Sequence, residues 1–551
     1  MTIHSSFNKN IEDSLRKHWS LPSMSDYGLQ TLLYRDVATE IAKLHIVFER
    51  SGIKKGDKIA LCSRNMSRWG VAFLATLTYG AVAVPILHEF HPEQVHHIVN
   101  HSESQILFVG DLVWKKLNSE EMPNLKGVIQ MNDWALLEAK DKELKDTVEN
   151  LNRCFGEKYP SNFTLAHIAY HCDEEEDLAI INYTSGTTSN SKGVMIPYRA
   201  VVGNMMCANE LIGSKIKAGD TLLSMLPLAH TLSMSFEFLF EFVAGVHVNF
   251  LTKMPTPSIL LKALADIRPV ALVCVPLIIE KVVRKAIMQK ISDPKIKLLL
   301  KTPIVGRKIK KKICQGLRDA FGGNFYEVII GGAALNQEIE ALLHDIGFNF
   351  TVGYGATECA PLISCNDWQS FVPCSCGKVV NRMNIKIDSR NPYDIPGEIL
   401  VKGQNVMLGY YKNPEATAET LVDGWYHTGD LGIVDRAGNI YIKGRIKNML
   451  LSANGQNIYP EEIEDKLNNM PYVQECVVVQ RGDKLYGLVY PDPELIKKNK
   501  TSTTELKSLM EENRKQLNTM LPAYEQLAGI ELRQEEFEKT PKRSIKRFLY
   551  S

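Results

Sequence analysis

The sequence lacks most of the features that would assign it quickly. Its 551 residues carry a formal net charge of only +1, so the overall balance gives no reason to expect nucleic acid as a partner. Eleven cysteines are scattered along the chain. Cys374 and Cys376 are close, but no second pair stands at zinc-site spacing, which points to thiols in a reducing compartment. The opening stretch, MTIHSSFNKNIEDSL, has no apolar core of the signal-peptide kind. The most apolar run, PVALVCVPLII at 269–279, has eleven residues and two prolines and is too short to span a bilayer. There are no repeats and no low-complexity tracts. What remains is ordinary globular composition, 45% hydrophobic and 23% charged, long enough for two or more domains with large cores. A cytoplasmic protein is expected.

The first part alternates helical and strand patterns. Leu33, Val37, Ile41, Leu44 and Phe48 recur at helical spacing after the turn-like SDYG. KIALC (58–62), AVAVPIL (81–87), QILFVG (105–110), GVIQM (127–131), LAIINYT (178–184), ALVCVP (271–276) and YEVIIGG (326–332) read as buried strands. RWGVAFLATLTYG (68–80) reads as a helix that stops at its glycine. This alternation predicts an α/β fold of doubly wound parallel sheets, with ligands beyond the carboxyl ends of the strands. Residues 134–150 read as a charged, solvated helix. After about residue 390, glycine-punctuated short strands (GEILVKG, GNIYIKG) predict a β-subdomain. The last 100 or so residues carry their own strand and helix signals. The predicted division is a large domain over 1–446 and a small α+β domain over 447–551.

The stretch INYTSGTTSNSKGVM (181–195) reads either as a phosphate-binding loop or as a polar surface turn. Small residues let the backbone curl so that several N–H groups point inward. Thr184, Ser185, Thr187 and Thr188 add hydroxyl donors beside Gly186, and Lys192 adds a positive charge. It is not a Walker A loop, because Ser191 and not glycine precedes the lysine. Four further stretches stand out. In GGAAL (331–335), Gly332 and Ala333 follow a strand and allow a flat ligand to approach the backbone. In VGYGATE (352–358), Tyr354 beside Gly355 is placed to stack on a base, while Thr357 and Glu358 could hold a phosphate and a metal. In GWYHTGDLG (424–432), Asp430 could accept both hydroxyls of a ribose. In GRIKNMLLSANGQNIYPEEIE (444–464), Arg445 could add a ribose contact before a helix that starts at Pro460. Each alone reads as an ordinary turn or packing residue; their order and spacing give them weight.

Together these motifs resemble the adenylate-forming, or AMP-binding, superfamily, and within it the long-chain fatty acid–CoA ligases. The resemblance runs from about residue 28 to the C-terminus. The family pattern YTSGTTG-x-PKG is similar to Thr184–Gly193, with Ser189 in place of a glycine and Ser191 in place of the proline. GYG-x-TE is similar to 353–358 and TGD to 428–430. LPLAH (226–230) resembles the motif that borders the acyl site, with His230 its usual contact residue. The resemblance implies ATP, Mg2+ and coenzyme A as cofactors and a medium- or long-chain fatty acid as substrate. It implies that Lys192 and the 184–193 loop hold the β- and γ-phosphates, that Thr357 reaches the α-phosphate and that Glu358 binds Mg2+. Tyr354 would stack on adenine beside Gly332 and Ala333, and Asp430 and Arg445 would fix the ribose. The small domain would be mobile about a hinge at Lys447. A carrier-protein thiol in place of coenzyme A stays open.

The chain departs from the family at its end. The pattern KTPTGKIKR contains a catalytic lysine, and in EKTPKRSIKRFLY (538–550) that position is Ser544. A serine cannot neutralise the substrate carboxylate and the α-phosphate. Lys542 or Lys546 could substitute, the chain could perform only the thioester half-reaction, or it could be an acyl or nucleotide sensor. The basic, apolar-interleaved stretch 295–312 reads either as a solvated helical face or as peripheral contact with anionic lipid at the inner membrane surface.

Overall fold

The computed structural model describes residues 1–184, 191–253, 256–284, 299–300, 302–452, 456–539 and 545–550. Its largest sheet has eight strands, and the β-branched runs legible in the sequence form its centre. In spatial order the strands are Gly409–Tyr410, Gly193–Pro197, Leu178–Tyr183, Val82–Ile86, Lys58–Cys62, Ser104–Val109, Gly127–Gln130 and Leu136–Ala139. The central strands run parallel, as crossovers through helices require, while both edges are antiparallel. Buried faces on both sides explain the unbroken apolar runs at 59–62 and 82–86. The helix Ser67–Tyr79 ends at Gly80, whose φ of 86° is the left-handed cap that glycine adopts without strain.

Two smaller sheets complete the α/β part. One orders Thr221–Ser224, His247–Phe250, Pro22–Asp26 and Thr31–Leu33; the other is a parallel trio of Leu272–Cys274, Val328–Ile330 and Phe350–Val352. An antiparallel sheet follows, built on Met383–Asp388, Gly397–Gly403, Trp425–Val434 and Ile440–Arg445. The C-terminal domain is separate. The hairpin Val473–Arg481/Lys484–Pro491 joins Leu527–Leu532, and Ile463, Leu467, Val489 and Leu517 form a core of their own. It meets the large domain through the helix Pro460–Asn468 and the residues that follow it. Asn336 donates to Asn469 at 2.7 Å, and Lys443 pairs with Glu462 at 3.0 Å.

One stretch differs from expectation. Of residues 134–150, only Lys142–Glu149 is helical, and Leu136–Ala139 is an edge strand paired with Gly127–Gln130. Asp141 caps the helix by accepting from Leu144 N at 2.7 Å, which confines helical geometry to the residues after it.

Candidate active site

The phosphate-like loop joins two antiparallel strands, Leu178–Tyr183 and Gly193–Pro197, and the following helix begins only at Tyr198. It is therefore the tip of a hairpin, not the N-terminus of a helix. Its base is closed by Thr184 N donating to Lys192 O at 3.0 Å. Ser185, Gly186, Thr187 and Thr188 lie outside the described residues. Lys192 sits with Nζ 4.6 Å from the centroid of the Tyr410 ring, a cation–π contact. Tyr410 had no motif to announce it. It belongs to the short strand Gly409–Tyr410 beside Gly193–Pro197, in register with Val194. Tyr411 N donates to Gly193 O and Met407 N to Glu358 O, each at 2.8 Å. The 407–411 segment thereby ties the loop exit to the Thr357–Glu358 turn, and the Tyr410 hydroxyl donates to Glu358 Oε1 at 3.0 Å.

Asp430 and Arg445 are register partners on neighbouring strands, so the sheet itself brings them together. Arg445 Nε lies 2.8 Å from Asp430 Oδ1, and the Tyr354 hydroxyl donates to Asp430 Oδ2 at 2.7 Å. Burial pushes the Asp430 carboxyl above its ordinary range, and Arg445 and the Tyr354 hydroxyl pull it back. The negative charge of Glu358 is felt by both Asp430 and Arg445, which places the two clusters in one field. The Thr428 hydroxyl holds the TGD turn, accepting from Asp430 N at 3.0 Å and donating to Ile399 O at 2.7 Å. Tyr354 is 7% exposed. Gly355 is obligatory here, because a Cβ would lie 2.3 Å from Pro361 O.

Gly332 (φ 87°) and Ala333 are exposed in the loop after Val328–Ile330, next to the GYG strand, with Gly353 N donating to Ile330 O at 2.9 Å. His230 caps the helix that follows LPLAH; its Nδ1 accepts from Leu232 N at 3.4 Å. The LPLAH segment is held by side chains that no motif had marked. Asn182 donates to Ala229 O at 2.8 Å, and Asn65 accepts from Leu228 N at 2.9 Å. Glu237, fully buried in the π-helical turn Met234–Leu239, accepts from Leu226 N (3.1 Å), Ser233 Oγ (2.5 Å) and Ser224 Oγ (3.2 Å). Burial pushes its carboxyl up to about 8, against the pull of these donors. The aromatic run 233–246 is core: Phe238 and Phe242 are fully buried, and Phe238 packs on Trp69, Phe73 and Phe250.

Glu358 fits a magnesium ion. It is a partly exposed carboxylate whose Oε1 takes the Tyr410 hydroxyl. Mg2+ takes one or two carboxylates and completes its shell with phosphate oxygens and water. At the other end of the chain, Lys546 pairs with Glu538 at 3.2 Å, and its backbone N donates to Glu538 O at 2.8 Å. Ser544 and Lys542 lie outside the described residues, and Lys447 lies in the short turn Ile446–Asn448 between the domains.

Comparison with known proteins gives this arrangement relatives. The sequence pattern of the AMP-binding enzymes matches residues 11–411, and that of the AMP-binding enzyme C-terminal domain matches 447–550. The long-chain-fatty-acid–CoA ligase FadD15 of Mycobacterium bovis is 28% identical over 471 residues, 80% of this chain and 74% of that protein. The long-chain-fatty-acid–CoA ligase of Escherichia coli O6:H1 is 28% identical over 490 residues, 85% of this chain and 82% of that one. The crystal structure of the anthranilate CoA ligase AuaEII with anthranoyl-AMP aligns with a TM-score of 0.79 at 19% identity, over 100% of this chain and 97% of that one, a likeness of fold.

Proposed function

As the chain belongs to the AMP-binding enzyme family, we propose that it activates a medium- or long-chain fatty acid with ATP and passes the acyl group to coenzyme A. It is an AMP-forming acid–CoA ligase; the identity of the acid is the proposed part, supported by the names of the relatives at 28% identity. The observation that carries the reading is the assembly, from distant parts of the sequence, of two contact clusters, Lys192–Tyr410–Glu358 and Tyr354–Asp430–Arg445.

The chemistry follows from charge. A carboxylate oxygen attacks the α-phosphorus of ATP, breaking its bond to the bridging oxygen and releasing pyrophosphate. A thiolate sulfur then attacks the acyl carbonyl, and AMP leaves. Two anions must meet in the first step, so the site must supply positive charge and donors. Lys192 and the hairpin loop serve the β- and γ-phosphates, and Thr357 serves the α-phosphate. Asp430 and Arg445 serve the ribose, with Tyr354, Gly332 and Ala333 at the adenine. Bound Mg2+ would supply Lewis-acid neutralisation of phosphate oxygens, held by Glu358. The small domain begins at residue 447 and turns about Lys447, which exchanges its Lys546-bearing end for the thiol route.

Part of the notional membrane stretch 295–312 lies outside the described residues; the helix Pro303–Ala320 remains. Lys310 is engaged with Asp345 at 2.6 Å, whereas Arg307, Lys308, Lys311 and Lys312 are exposed beyond the exposed tip Ile304 (74%). That face supports peripheral contact with anionic lipid.

The test is pyrophosphate release from Mg-ATP with fatty acids of increasing length, with and without coenzyme A, in wild type, Lys546→Ala and Ser544→Lys. Release that needs a long fatty acid and disappears in Lys546→Ala is the expected result. No release by wild type with any fatty acid, but release by Ser544→Lys, would sink the full two-step reading and leave thioester formation or acyl sensing.

A further inference from the structure

Tyr410 lies between the two groups the proposed reading assigns to phosphate and metal. Its ring carries the Lys192 ammonium at 4.6 Å, and its hydroxyl donates to Glu358 Oε1 at 3.0 Å. Lys192 and Glu358 thus share one neighbour, each through a different part of it. Tyr410 is 6% exposed and cannot swing aside easily. Its backbone is fixed as well: its N–H donates to Thr417 Oγ1 at 2.9 Å, Tyr411 N donates to Gly193 O, and Met407 N donates to Glu358 O. Three backbone ties and two side-chain contacts aim one ring at both charges.

We propose that Tyr410 is a positioning residue that keeps Lys192 and Glu358 from collapsing into an ion pair, so that each meets Mg-ATP as a separate charge. A direct lysine–carboxylate pair would spend both groups on each other. The cation would lose its claim on phosphate, and the carboxylate would lose the oxygen that an ion such as Mg2+ needs. A phenol is suited to the task. Its π-face accepts a cation, its hydroxyl donates to a carboxylate, and the rigid ring holds the two apart. The role rests on the reading of Lys192 and Glu358 given above.

The test is equilibrium binding of Mg-ATP by calorimetry across a range of free Mg2+, which needs no turnover. Tyr410→Phe removes only the hydroxyl. It is expected to shift the Mg2+ dependence several-fold while leaving affinity at saturating Mg2+ within about twofold. Tyr410→Leu removes both contacts and is expected to weaken binding by about tenfold or more even at saturating Mg2+. Thermal unfolding of both variants checks that the fold is kept. Lys192→Ala and Glu358→Gln separate the two layers. If these two weaken binding but both Tyr410 variants bind as wild type, the positioning role is overturned and the site reading stands. If Lys192→Ala and Glu358→Gln also bind as wild type, the site reading falls and the role of Tyr410 with it.

Discussion

The nucleotide-side residues and the LPLAH segment are held by opposite means. On the nucleotide side, buried Asp430 holds Tyr354 and Arg445, whose side chain is 65% exposed, and buried Tyr410 holds the partly exposed Glu358. On the side of His230, the LPLAH segment is fixed from below by a carboxylate with no exposure, Glu237, in an aromatic core. Water reaches the Arg445 side chain in the first set and cannot reach Glu237 in the second. The difference teaches where substitutions will read out: the wet side in ligand affinity, the dry side in stability.

The largest expected effect breaks the dry side. Glu237→Ala leaves Leu226 N, Ser233 Oγ and Ser224 Oγ without their acceptor in the core, and should cost about 3–5 kcal/mol of unfolding free energy in a denaturant titration. A loss below about 1 kcal/mol would mean that water or a shifted helix replaces it.

The next effect sharpens the comparison through pH. Glu237 binds its proton more tightly folded, at about 8, than an ordinary carboxyl does unfolded, and Glu327 is likewise raised by burial to about 8. Their contribution is complete below the unfolded pKa and is lost as pH rises through the folded one. Stability should therefore fall as pH rises between about 5 and 8. Glu237→Gln should flatten part of that slope; an unchanged slope would show that Glu237 does not titrate there.

The smallest stability effect belongs to the wet side. Asp430→Asn weakens the tie to Arg445, most of whose side chain is in solvent, and should cost only about 1 kcal/mol of folding. Nucleotide affinity should drop about tenfold or more, because a ribose hydroxyl loses a charged acceptor. Equal losses in both assays would erase the proposed difference between the two sides.

Wherever local structure is written into contiguous residues, it was legible. The strand runs, the Gly80 stop, the hairpin loop with Lys192, the Thr357–Glu358 turn and the TGD turn all lie in short windows whose residue types have local reasons. The antiparallel edges of the main sheet were not legible, because pairing direction is not encoded in an apolar run. Leu136–Ala139 misled for a related reason: its charged neighbours resemble a solvated helix until a partner strand is present.

The sequence by itself determined the α/β class and the separate C-terminal domain, since periodicity and motif spacing are local properties of the chain. Only the tertiary structure decided who touches whom. Tyr410 stands 52 residues from Glu358 in sequence and meets it only because two short backbone segments pair at the sheet edge. Asp430 and Arg445 meet because strand register aligns them, and Glu237 reaches Leu226 because a π turn directs its side chain beneath the loop. Such contacts come from register and packing, which depend on the whole chain at once.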